Sequence, residues 1–320
     1  MPRVSVIIAT FNRSRFIRES IESVLSQTFN DYELIVVDDG STDNTRAIVA
    51  GYGGRIRYFY KDHANQSAAL NFGISQAEGE YIAFLDDDDL WLPEKLEKQM
   101  RIIDADRSVG LVAGEIYQVD VEGKITYHWG RRYSNPVTFK FLFDYNVVNH
   151  SAALARKSLI VQAGGFDETL LTTQDYDLWL RVSKLCKVHY INEPLAKIRI
   201  HPGNKRNNRI QKLKDRIRVI SKDENMRGLG FWARRRRIAK EYYIHAGYFR
   251  DLGFPRLAGV TYFQSVVTFP FIGIDFTPET AGAMVSFWLY RLLRPYIQAF
   301  YWWVKGIASR EDYAQLDQLG

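Results

Sequence analysis

Cysteine is all but missing from this 320-residue chain; Cys186 stands alone. An intrachain disulfide and a cysteine-based zinc site are therefore excluded. A reducing compartment fits that usage. No Gly-x-Gly-x-x-Gly follows the first predicted strand, and no Gly-Lys-Ser/Thr loop occurs. The two common glycine-rich phosphate cradles are thus absent, and phosphate binding must rely on other groups. The opening apolar run, Val4 to Ala9, is too short for a signal-peptide core. Internal repeats and low-complexity tracts are also lacking. What remains is globular: 46% hydrophobic, 25% charged and 14% aromatic, with a net charge of +6. The length suits one large domain plus an appendage, or two domains. The basic balance allows contact with an anionic surface without requiring it.

Alternation of strand and helix dominates the first part of the chain. Residues 4–10, 32–37, 56–60 and 81–85 are β-branched or apolar runs of strand length. Between them, 15–28, a segment of about ten residues after Asp43, and 67–77 carry helical spacing and capping signals. Further on, 94–105 predicts a helix, 109–117 a strand and 120–136 a polar hairpin. Ser151–Ala155 predicts a strand, Lys157–Ala163 a helix and Thr173–Val182 another helix. Val188–Ile191 and Ala196–Ile200 predict two late strands. The pattern is that of a doubly wound α/β sheet.

Charge gathers at the ends of these strands. Asp86-Asp87-Asp88-Asp89 follows the fourth strand and Asp38-Asp39 ends the second. Open α/β sheets place ligands at the carboxyl ends of their strands. A solvated acidic turn is the commoner origin of an acidic run. Here the run is pinned between a core strand and Leu90-Trp91-Leu92-Pro93. Clustered oxygen ligands suit a hard cation, Mg²⁺ or Mn²⁺. Asp38-Asp39-Gly40-Ser41 could be only a turn and helix cap. Paired with the Asp86 cluster, it suggests a nucleotide held by its base at one end and its phosphates at the other.

Taken in order, these segments resemble the family 2 glycosyltransferases. The residues that carry the resemblance are Val4–Arg13, Val37–Asp43, Asn71–Ile74, Gly79–Asp89, Gly164–Asp167 and Gln174–Arg181, over roughly 3–203. The resemblance implies a GT-A fold, a Rossmann-like mixed and mostly parallel sheet flanked by helices. It implies an inverting hexosyltransferase-type enzyme that uses a nucleoside-diphosphate sugar, a UDP-sugar in the first instance. By matching positions, Thr10, Phe11 and Asp39 line the nucleoside site, with Asp86 and Asp87 on the donor. Asp88 and Asp86 hold metal, His201 adds a contact to metal or diphosphate, and Asp175 is the general base. A lone histidine is more often structural, which is the competing reading of His201. Leu70 stands where the family often has Arg, and Gln174 where Glu is frequent. These departures touch a diphosphate contact and the tuning of the base.

After residue 203 the composition changes. Residues 205–240 hold 14 Lys or Arg against three acidic residues. A solvated helix face explains this better than nucleic acid, since only Phe231 and Trp232 offer stacking platforms there. Anionic lipid is a third reading. Residues 233–270 predict a helical hairpin broken near Gly253-Phe254-Pro255. Residues 281–307 mix aromatics with Arg291, Arg294 and Lys305 and are too charged for a span of ~20 apolar residues. They read equally as an interfacial helix or as packing on the hairpin. The expected division is a GT-A domain over 1–203 and a basic, aromatic helical region over 204–320. The expected acceptor is a glycan or polyprenyl-linked sugar, and the expected setting is the cytoplasmic face of the cell membrane, peripherally. No nucleic-acid partner is expected. The alternatives are a sugar-nucleotide-forming nucleotidyltransferase or a non-enzymatic nucleic-acid- or glycan-binding protein. The first would favour a glycine-rich loop after the first strand, which Phe11-Asn12-Arg13-Ser14 is not.

Overall fold

The structure is a computed structural model and describes residues 1–269 except 129, 202, 204–207 and 228. The aromatic stretch 281–307 lies outside the described residues. Two compact units divide the chain, residues 1–204 and 205–320.

In the first unit the order is β1 (Val4–Thr10), α1 (Ile17–Leu25), β2 (Tyr32–Asp38), α2 (Thr45–Ala50), β3 (Arg57–Tyr60), α3 (Gln66–Gln76), β4 (Tyr81–Phe84) and β5 (Leu90–Trp91). It continues through α4 (Lys95–Ala105), β6 (Val109–Val119), β7 (Ile125–His128), α5 (Phe139–Asp144), β8 (Leu154–Arg156), α6 (Lys157–Gln162), α7 (Gln174–Val182) and β9 (Lys187–Arg199). Among the described residues one sheet runs β3-β2-β1-β4-β8-β6-β9-β5, with β7 paired to β6. β1 pairs in parallel with both β2 and β4, and β6 with β9. β8 is the antiparallel link between β4 and β6.

The central strands are apolar on both faces because both are covered. Every residue of β1 is buried. Ile17, Ile21 and Val24 of α1 join Val4, Val6 and Ile8 in one core cluster with Leu96 and Met100 of α4. On the other face α3 lies so close to the sheet that a Cβ on Gly73 would meet Ile7 Cγ2 at 2.7 Å.

Three sequence expectations change: the strand predicted over Ser151–Ala155 is a short 3-10 turn, His150–Ala152, followed by β8 at Leu154–Arg156. The helix after Asp43 has six residues, not about ten. The two late strands form one, β9, because Asn192-Glu193-Pro194 does not break the chain's path. Proline has no N–H to give, and Pro194 falls where the β6 ladder shifts register between Gly114 and Ile116.

The second unit holds α8 (Arg209–Ser221), α9 (Asp223–Met226), α10 (Phe231–Asp251) and α11 (Pro255–Thr268). Leu213, Ala246, Phe249, Ala258 and Tyr262 form its apolar core. Part of the basic stretch is interior rather than solvated. Glu241, 1% exposed, accepts from Arg216 Nε at 2.8 Å and from Arg237 at 2.6 Å.

Candidate active site

Parallel pairing brings the ends of β1, β2 and β4 to one edge of the sheet. Thr10 lies opposite Asp38, and Ile7 opposite Phe84. The Asp39 N–H donates to Thr10 O at 2.8 Å, so the first two loops leave the sheet together. Asn12 then latches them. At φ 53° it adopts the left-handed conformation that Asn tolerates better than most residues. Its Oδ1 accepts from Thr42 N at 2.8 Å. Gly40, at φ 87°, lies where a Cβ would meet His63 N at 2.8 Å.

Asp38 and Asp39 have different tasks. Asp38 is fully buried and accepts from Tyr58 OH and Ser41 N, both at 2.7 Å. That is a turn-forming role. Asp39 faces Lys61 Nζ at 2.6 Å, His63 Nδ1 at 2.9 Å and Ala64 N at 3.2 Å. The His63 ring stacks on Phe11 with centroids 4.0 Å apart. Thr10, Phe11 and Asp39 therefore share one corner. Lys61 and His63 join it without having been read from the sequence, since a lone Lys-x-His after a strand carries no signal.

The four carboxylates of the second loop also separate. Asp89 accepts from Ser151 Oγ at 2.6 Å and from the Arg199 N–H at 2.9 Å. Burial, then the Asp88 charge, pushes its carboxyl well above the usual range. Asp88 meets His201 Nε2 at 2.8 Å. Asp87 accepts from the Phe11 N–H at 3.3 Å and lies 3.4 Å from Arg13 Nε. Burial and the Asp88 charge push Asp87 up to about 7. Asp86 accepts from Gln66 Nε2 at 2.8 Å. The turn is braced from beneath by Arg199, which is 1% exposed. Its Nε donates to Asp88 O at 3.0 Å, and its other arms reach Val121 O and Glu19.

Among the described residues no group of three His, Cys, Asp or Glu stands ready as a metal cage. The donor set nonetheless fits a hard divalent cation. A carboxylate and an imidazole nitrogen converge at Asp88 and His201, beside the Asp87 and Asp89 carboxyls that burial, then the Asp88 charge, raises.

Asp175 occupies the first turn of α7. A hydrogen-bond chain ties that turn to the carboxylates: Gln174 Nε2 donates to Gln66 Oε1 at 3.1 Å, and Gln66 donates to Asp86. Thr173, just before, holds φ 60°. For a β-branched residue this costs on the order of 1–3 kcal/mol, and such strain gathers at functional sites. Asp177 is fully buried in an ion pair with Arg181 at 2.7 Å.

His150 was not foreseen at all. It is buried, stacks on Phe84 with centroids 4.9 Å apart, and its Nε2 lies 3.9 Å from Asp86 Oδ1. Neither ring nitrogen has a hydrogen-bond partner. Burial pushes its pKa down to about 4, against the pull of Asp175.

An α/β sheet of this order, with carboxylates crowded at one edge, has a GT-A-like fold. The family model for glycosyl transferase family 2 matches residues 5–161. An uncharacterized glycosyltransferase of Rickettsia typhi is 35% identical over 219 residues, covering 67% of this chain and 69% of the relative. The chain belongs to glycosyl transferase family 2 and is a transferase. Against some longer Rickettsia relatives it spans about a third of their length. Two solved structures share the fold. Staphylococcus aureus TarS 1–349 in complex with UDP-GlcNAc superposes with a TM-score of 0.65 at 19% identity, covering 98% of this chain and 92% of that one. The mannosyltransferase PcManGT of Pyrobaculum calidifontis, in complex with GDP-Man and Mn²⁺, gives 0.57 at 18% identity, covering 98% and 87%.

Proposed function

We propose that the protein transfers a sugar from a nucleoside diphosphate, UDP in the first instance, to a hydroxyl of a glycan or lipid-linked acceptor, with inversion. The observation that carries the reading is the amide chain from Gln174 through Gln66 to Asp86, which supports a base and a donor site acting on one molecule. Thr10, Phe11 and Asp39 hold the nucleoside. Asp87 and Asp86 face the donor, and Asp88 with His201, joined by Asp86, would hold Mg²⁺ or Mn²⁺. A divalent cation, when bound, supplies positive charge opposite the departing diphosphate. Asp175 accepts the proton of the attacking hydroxyl. Attack from the face opposite the leaving group inverts the anomeric carbon and leaves no covalent intermediate on the enzyme.

In this reading residues 1–203 perform the transfer and residues 204–320 bring the enzyme to its acceptor at the cytoplasmic face of the membrane. No helix among the described residues is long and apolar enough to cross a membrane; in this reading the association is peripheral. Thermal shift with a panel of nucleoside diphosphates and Mn²⁺ or Mg²⁺ tests the donor half. A ligand at a hundred times its Kd adds about 2.7 kcal/mol. UDP with Mn²⁺ should stabilise the wild type and not Asp88→Asn. A panel with no stabilising nucleotide overturns the donor assignment. Asp175→Asn should keep donor stabilisation and lose transfer by about 10²–10⁴-fold; undiminished transfer moves the base elsewhere.

A further inference from the structure

We propose that one pole of the helical unit, where α10 begins and α11 ends, is a docking surface for an anionic lipid bilayer. It rests on the reading of a membrane-borne acceptor and names the surface that would reach it.

The two helix ends are fastened together. Arg235 Nε donates to Thr268 O at 2.6 Å and its Nη2 to Val267 O at 2.9 Å. Trp232 lies against Phe269 with ring centroids 6.4 Å apart, and Phe231 against Trp232 at 5.1 Å. Despite these contacts, the pole leaves large apolar side chains in water. Phe231 is 63% exposed, Trp232 61%, Phe263 61% and Val267 56%. Phe263 and Val267 are four apart on α11 and so share a face. Scattered apolar residues are ordinary on a surface; a cluster bounded by charge of one sign is not.

On α10 and α11 themselves that charge is positive, and the acidic residues that come before α10 are Asp223 and Glu224 of α9. Arg234, Arg235 and Arg236 follow the two aromatics within one turn. Residues 225–240 and 252–269 contain no Asp or Glu. The first acidic residue on α10, Glu241, is buried between Arg216 and Arg237 and does not reach this surface. Aromatic rings beside arginines match a headgroup boundary, where rings enter the interface and guanidinium groups meet lipid phosphates. A second copy of the chain would set arginines against arginines in an isologous contact. Nucleic acid would match the charge but would leave Phe263 and Val267 uncovered.

The test is sedimentation of the full-length protein with lipid vesicles, without donor or acceptor. One set is phosphatidylcholine alone and the other contains phosphatidylglycerol. Wild type should bind the mixed vesicles and bind phosphatidylcholine weakly. Arg234→Gln with Arg236→Gln should weaken that binding by about 25-fold, at roughly fivefold per basic residue. Phe231→Ser with Trp232→Ser should release the protein from the mixed vesicles. These four side chains are partly or largely exposed, so the variants keep the fold, which nucleotide-dependent thermal stabilisation equal to wild type would verify. Wild type that ignores mixed vesicles overturns the proposal. So do variants that bind as wild type does, equal binding to both vesicle types, or loss of self-association rather than lipid binding in the variants. Loss of vesicle binding with intact nucleotide stabilisation separates this surface from the donor reading.

Discussion

Arg199 is the support on which the Asp88-Asp89 turn rests, and Arg199→Met measures it. Methionine retains much of the buried stem and removes the guanidinium. Two donations to backbone carbonyls vanish, to Asp88 O at 3.0 Å and to Val121 O. Hydrogen bonds from a charged group contribute about 1.5–3 kcal/mol each, so the pair is roughly 3–6 kcal/mol. The ion pair with Glu19 adds little, because the Glu19 side chain is 53% exposed; such pairs contribute about 0–1 kcal/mol. Removing a buried charge offsets part of the loss. The net expectation is a destabilisation of about 2–4 kcal/mol. That is a large share of a typical stability of about 5–15 kcal/mol. Urea denaturation of wild type, Arg199→Met and Glu19→Gln gives the comparison. Glu19→Gln should stay within about 1 kcal/mol of wild type. The methionine variant should also lose nucleotide and Mn²⁺ stabilisation, since the turn that carries Asp88 loosens. An Arg199→Met protein as stable as wild type, or a Glu19→Gln protein as unstable as Arg199→Met, refutes the argument.

In the helical unit, Glu241→Gln should cost about 3–5 kcal/mol by removing the carboxylate that the buried Arg237 and the half-buried Arg216 share. Against burial, the charges of Arg216 and Arg237 hold Glu241 down at about 2. Its folded pKa lies below its ordinary 4.5, so its stabilisation is full above that value and is lost as pH falls through about 2; acid titration of helicity in the two proteins should differ in that window. His150 has the opposite chemistry. Its pKa falls from 6.5 to about 4 on folding, so the unfolded chain binds the extra proton between them and stability drops as pH falls through that range. The swing approaches about 3 kcal/mol. Urea midpoints at both ends of the range should diverge less in His150→Phe than in wild type; equal divergence would remove His150 as the buried neutral group.

The fold was legible because its signals are local. Buried runs such as Val4–Thr10 and Tyr32–Asp38 show in composition, and each is followed by turn formers. The carboxylates were legible for the same reason: strand ends announce themselves, so Asp39 and Asp88 could be found without knowing their neighbours. The groups that the sequence hid act across long separations. Arg199 reaches Glu19 over 180 residues, and Lys61 and His63 reach Asp39 from the next strand's end. A basic residue closing a long strand looks like any other strand terminus. His150 carries no motif, and its burial depends on the rings of Phe84 and Phe166. The reading of 205–240 as a solvated face failed at Arg216 and Arg237 because Glu241, just beyond the counted stretch, takes both inside.

Gln174 shows how a departure from a family pattern can become a structural part. Glutamate there would present only oxygen acceptors to Gln66. It would compete with Asp86 for the Gln66 amide and add charge beside carboxylates among which burial, then the Asp88 charge, already lifts Asp87 to about 7. The glutamine instead donates to Gln66 Oε1, leaving Gln66 Nε2 for Asp86. The Gln66 amide thus has a complementary partner at each end, and the start of α7 is tied to the carboxylate turn through neutral groups. On this argument Gln174→Glu should not restore a missing function. It should weaken the Gln66–Asp86 contact and raise the demand for a cation, read as a larger nucleotide and Mn²⁺ stabilisation relative to an apoprotein of lower Tm. An apoprotein of unchanged Tm would mean that the amide chain does not hold α7 to the turn.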